Sequence, residues 1–126
     1  MASSAPNRVL VARAALILTN SEVASSRLDL NETVDSTVGI QIDFTIGSLT
    51  NGIFAYFASA DGTTYYPVET HGGGVVSHTL TATGTKLVTV QAPGMKWFRV
   101  GVTGTGTVTS SSATVTLRHL RRGTQR

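Results

Sequence analysis

The sequence predicts an all-β fold: one antiparallel β-sandwich of jelly-roll type, a single domain over residues 1–126 with extended N- and C-terminal ends. Three observations lead there. Apolar and polar residues alternate with a period of two in several segments, most plainly from Ile40 to Ile46. Turn residues recur about every 8–12 positions, the spacing of sandwich strands. No segment keeps a 3.6-residue apolar period over the length a helix needs.

Composition agrees. The chain has 126 residues, of which 40% are hydrophobic and only 13% charged, against about 25% charged in an ordinary soluble domain. Its polar surface is therefore drawn from Thr, Ser, Gly and Asn. Threonine is branched at Cβ and fits a pleated sheet, while glycine supplies the backbone angles of tight turns.

In chain order, the run from Val9 to Leu18 admits a helix through its alanines, but Leu16-Ile17-Leu18 favours a sheet, and a strand or long arm is expected. Thr19-Asn20-Ser21 reads as a turn, and Arg27-Leu28-Asp29-Leu30 as a short piece with both leucines on one side. In Gly39–Ile46, Ile40, Ile42, Phe44 and Ile46 share one face, and Gln41, Asp43 and Thr45 the other. Asn51-Gly52 is expected to turn the chain into a strand over Ile53–Ala58. Asp61-Gly62 should open a hairpin into Thr64–Val68, with Pro67 at a strand end or edge. Gly72-Gly73-Gly74 reads as a loop after His71, before a strand from Val75 to Leu80. Strands are expected over Lys86–Gln91, ending at the Pro93-Gly94 turn, and over Lys96–Val102. The tract Thr103–Thr107 should separate the latter from a final strand, Thr114–Leu120. This makes about eight strands. Ile42, Phe44, Phe57, Phe98, Val100 and Leu117 are the expected core.

The net charge is +3, with ten basic and seven acidic residues. The basic residues gather at the ends: Arg8 and Arg13 near the start, and Arg118, Arg121, Arg122 and Arg126 around His119 near the finish. Arg118 alternates with its neighbours and is expected on the outer face of the last strand. These arginines fit an acidic protein partner, since a guanidinium grips a carboxylate with two donors. Nucleic acid is the weaker reading, because the residues form no dense stripe and the net charge is only +3; a solvated tail is the bland one. There is no cysteine, hence no disulfide framework and no thiolate zinc site. Residues 1–6 lack the pattern of a signal peptide, and the run to Leu18, broken by Arg13, is too short for a membrane helix. No membrane association is expected.

The chemistry-bearing residues do not converge on a reaction. His71, His78 and His119 have no spacing that supplies a third metal ligand, and they read as loop or surface residues. The acidic pairs Asp29 with Glu32 and Asp35 with Asp43 are not marked as a catalytic pair. Asp61 is explained by its turn. No nucleophile elbow and no phosphate loop occurs. The expectation is a protein that is not an enzyme, with no cofactor and no metal. Tyr65, Tyr66 and Trp97 admit three readings: sugar-stacking platforms, interface anchors, or half-buried structural residues.

Ala58-Ser59-Ala60-Asp61-Gly62-Thr63-Thr64-Tyr65-Tyr66-Pro67-Val68 resembles a pattern of small virion proteins of tailed bacteriophages, in which Ser-x-Asp-Gly, an aromatic and Pro follow an alternating strand. Ala92-Pro93-Gly94-Met95-Lys96-Trp97-Phe98-Arg99-Val100 resembles a second signature of that family, and Asp35–Ile42 also fits. The resemblance covers roughly the middle two thirds of the chain, and its Asp-Gly turn is structural, setting hairpin register. It implies a β-sandwich structural protein of the virion: a capsid decoration or cementing protein, homo-oligomeric and docked on other virion proteins such as the major capsid protein. A head-tail or tail component, or a carbohydrate-binding or host-adhesion module of a tail that takes a glycan, are the alternatives it leaves open.

Overall fold

The computed structural model describes residues 8–30, 36–69, 76–92 and 95–121. Among these residues the alternating segments become strands that turn their apolar sides toward one another. In chain order they are β1 (Arg8–Leu16), β2 (Val23–Ala24), β3 (Leu28–Asp29), β4 (Ser36–Thr45), β5 (Leu49–Ser59), β6 (Tyr66–Pro67), β7 (Ser77–Leu80), β8 (Gly84–Gln91), β9 (Trp97–Gly106) and β10 (Ser112–Arg121). They form two antiparallel sheets. One has the order β1-β10-β4-β8; the other has the order β2-β9-β5-β6, with β3 also on β9 and β7 also on β5. The short strands share lanes. β2 and β3 pair with different stretches of β9, through Val23↔Val102 and Leu28↔Phe98. β6 and β7 do the same along β5, through Phe57↔Pro67 and Gly52↔Leu80. Each sheet is thus four lanes wide, and the described residues form ten strands where about eight were expected. The sheets pack as a sandwich, and neither closes into a barrel.

The core lies between them. β4 contributes Val38, Ile40, Ile42 and Phe44, and β10 contributes Ala113, Val115 and Leu117. Facing them are Phe54 and Tyr56 of β5 and Phe98, Val100 and Val102 of β9. Phe44 meets Phe54 edge-on with ring centroids 5.7 Å apart, and Tyr56 stacks on Phe98 at 6.3 Å, both within the favourable range for aromatic pairs. Leu28 and Leu30 are both buried, as their spacing predicts.

Several expectations are corrected. Phe57 is half-buried on the outer face, opposite Arg99, because the strict alternation of β5 gives the core to Phe54, Tyr56 and Ala58. The chain reverses at Gly47-Ser48, not at Asn51-Gly52: Gly47 has φ +54°, and the Leu49 N–H donates to the Ile46 carbonyl at 2.9 Å. Gly52 lies inside β5 for a packing reason, since a Cβ there would stand 2.7 Å from the Phe44 ring. The Thr103–Thr107 tract does not separate strands, because β9 continues to Gly106. Gly104 lets the Leu18 and Leu49 side chains approach to 3.0 Å of where a Cβ would be. The expected loop at Gly72-Gly73-Gly74 and turn at Pro93-Gly94 lie outside the described residues.

Candidate functional site

Pairing of β1 with β10 places Arg8 beside His119 and Val9 beside Arg118, so the two basic ends of the sequence meet at one end of the first sheet. Arg118 is exposed on the outer face, as alternation predicts. The side chains of Arg8 and Arg121, and the whole of Arg122, lie outside the described residues. Arg13 is placed differently. It is 8% exposed, at a point where β1 slips register on both sides of it. Its Nη2 donates to the carbonyls of Leu16 and Ile17, both at 3.1 Å. Burial holds its pKa below the usual arginine value. This guanidinium ties the bulged end of β1 to its own backbone.

The aromatic residues are engaged unequally. Trp97 is half-buried, with the Arg27 guanidinium 3.9 Å above its ring and the Lys96 ammonium at 5.1 Å. Tyr65 carries the Arg99 guanidinium at 3.8 Å. Both rings thus make cation–π contacts, Trp97 with two cations and Tyr65 with one. Tyr66 is 67% exposed. The loop that carries the tyrosines is organised by Ser59 and Asp61. Ser59 Oγ accepts from the Gly62 N–H at 2.8 Å and donates to Asp61 Oδ1 at 3.0 Å. Asp61 Oδ1 also accepts from the N–H groups of Thr63 at 2.8 Å and Thr64 at 3.0 Å. These donors, Thr64 first, hold the carboxylate below its ordinary pKa. Gly62 has φ +81°, and its carbonyl accepts from Arg27 at 3.2 Å. Asp61 is thus the turn residue the sequence predicts.

Beside Tyr66 a cleft of about 510 Å³ opens between Pro67 of β6 and Gln91 of β8, with Asp61, Glu69 and Met95 on its rim. His78 and His119 differ from the loop or surface reading. His78 is half-buried on β7, where its Nδ1 lies 2.9 Å from the Tyr56 hydroxyl. Burial, and secondarily Lys86, lower its pKa, while burial raises that of Tyr56. His119 is buried on the inner face of β10, because alternation turns it inward when Arg118 turns out. His71 lies outside the described residues. Among the described residues, no three His, Asp or Glu side chains group to hold a metal.

A second surface escapes sequence reading. On the outer face of the β1-β10-β4-β8 sheet a depression of about 410 Å³ sits over Gly39, walled by Val9, Leu87, Thr116 and Arg118. Val9 is 67%, Val11 57% and Leu87 73% exposed. Nearby, Asp43 accepts from Thr85 Oγ1 at 2.9 Å and Gln41 Nε2 at 3.0 Å. The signals in the sequence were a glycine inside an alternating strand and a leucine on the polar side of another.

No family model matches the sequence, and no curated protein matches it. Solved structures do share the fold. The crystal structure of the SPBc2 prophage-derived protein YomS superposes with a TM-score of 0.57 at 11% identity, over 95% of this chain and 98% of that one. A chain in the structure of infectious bursal disease virus, Gx strain, superposes with a TM-score of 0.54 at 14% identity, over 95% of this chain but only 33% of that one. At such identities the likeness is one of fold.

Proposed function

We propose that this chain is a non-enzymatic structural protein of a phage particle, a homo-oligomeric decoration or cementing protein that docks on other virion proteins, the major capsid protein foremost. The observation that carries this reading is the extent of the match to the prophage-derived YomS. The likeness of fold extends over 95% of this chain and 98% of that one. The finer reading of the sandwich as a jelly roll is supported by its nested pairing. The chain pairs from the outside inward: β1 with β10, β2 and β3 with β9, β4 with β8, β5 with β6 and β7. This is a long hairpin rolled across two sheets.

Docking is assigned to the end of the first sheet, at the strand ends bearing Arg8 and Arg121, with Arg122 next in sequence. An acidic protein surface suits them better than nucleic acid at a net charge of +3. Arg13, bonded to its own backbone, is left out of this surface. Mass analysis of purified particles tests the reading: the chain should be present in many copies. Its absence from intact virions overturns the proposal, and a low copy number moves it to a head-tail or tail position. The glycan-binding alternative, a host-adhesion module of a tail, draws on exposed Tyr66 beside the cleft. Selective binding on a glycan array, lost in Tyr66→Ala, would favour it.

A further inference from the structure

We propose that the outer face of the β1-β10-β4-β8 sheet is a two-fold interface with a second copy of this chain. The proposal deepens the homo-oligomer part of the reading above and rests on that part alone. It starts from Gly39. A glycine inside a strand is unfavourable unless something approaches closely. At Gly52, Gly101 and Gly104 the chain itself supplies the neighbour: the Phe44 ring, the Glu22 carboxylate, and Leu18 with Leu49. At Gly39 a Cβ would find its nearest neighbours in Arg118 Cβ and O, at 3.9 Å, which is ordinary contact. Gly39 is also not among the positive-φ glycines. A single copy has room for a side chain there, and instead carries the depression.

Register arranges this face in three rows. The first is Val9, Arg118, Gly39, Thr89; the second is Val11, Thr116, Gln41, Leu87; the third holds Thr114, Asp43 and Thr85. A two-fold axis in the interface, perpendicular to the strands and along the second row, lays the first row of each copy on the third row of the other. Exposed Val11 then meets Val11, and exposed Leu87 meets Leu87. Asp43 of the second copy stands over Gly39, next to Arg118. Its carboxylate is held in place by Thr85 and Gln41 and retains acceptor capacity. Among the described residues, no cation pairs with Asp43 and no carboxylate with Arg118. The charge complement is made twice by symmetry. Four strands by three rows give a face of roughly 300–400 Å² per copy, below the ~800 Å² of a standard stable interface. Association is therefore weak in dilute solution and effective where copies are held close together.

Sedimentation of the full chain over about 10–500 μM tests this and should show a monomer–dimer equilibrium. Gly39→Val suits a strand and has room in the monomer, so it should melt no lower than wild type while dimerising at least about tenfold more weakly. Arg118→Asp and Asp43→Arg should each weaken the dimer about tenfold, and the double exchange should recover most of the loss. A wild-type chain that stays monomeric throughout overturns the proposal. So does folded Gly39→Val that dimerises normally, or a double exchange no better than the single variants. If wild type is monomeric but Gly39→Val detaches from particles, the face takes another virion protein, and the second-copy proposal falls. Because the purified chain is measured alone, its result is separate from the mass analysis that decides the virion reading.

Discussion

Phe44 and Gly52 form a matched pair across the core: one provides the ring, the other the space for it. Phe44→Ala should lower unfolding stability by about 3–5 kcal/mol in urea titration, the usual cost of emptying a buried aromatic site. Gly52→Ala should cost about 1–3 kcal/mol through overpacking. In a Phe44→Leu background that cost should shrink, a coupling that a double-mutant cycle measures. Asp61 makes a different prediction. Its folded pKa lies below the ordinary carboxylate value because backbone N–H groups bond the charged form. As pH falls, the unfolded chain takes up the proton first, so the contribution is present above the unfolded pKa and disappears as pH drops through the folded one. Wild type should therefore lose stability more steeply than Asp61→Ala between about pH 5 and pH 2, and parallel melting curves for the two would contradict this.

At the scale of elements, the irregular end of β1 depends on Arg13. Arg13→Met keeps much of the apolar stem but removes both hydrogen bonds to Leu16 and Ile17. A loss of about 1–3 kcal/mol is expected, with faster amide exchange in residues 16–18 ahead of the rest of the molecule. How legible each element is in the sequence follows from what shapes it. β4 and the first half of β9 are readable because one face is dry and the other wet, so the side chains themselves record the period. β2 is two residues long and cannot display a period, whereas β3 and β6, equally short, fall inside the expected segments Arg27–Leu30 and Thr64–Val68. The glycines at 52 and 104 look like turns locally, but they answer to Phe44, Leu18 and Leu49, which are distant in sequence. The same holds for the candidate site. Exposed Arg118 follows from alternation, whereas Trp97 and Tyr65 take cations from Arg27 and Arg99, partners that no local pattern announces.

For the whole molecule, the sandwich class was readable and its strand order was not, since pairing such as Arg8 with His119 joins opposite ends of the sequence. Docking of the basic ends predicts that deleting residues 121–126 weakens attachment to otherwise complete particles without lowering the melting temperature, and that the defect depends on salt. Attachment equal to wild type at both low and high salt would remove that role. The neighbouring first and last strands also have a mechanical consequence. Arg8 and Arg121 lie toward the same end of an antiparallel pair whose hydrogen bonds cross between the strands. Pulling the two ends apart would load these bonds one at a time, opening β1 from β10 like a zipper at low force. A tether through one end alone leaves that seam unloaded. In single-molecule stretching, the first rupture should therefore release β1 while the inner pairs stay closed.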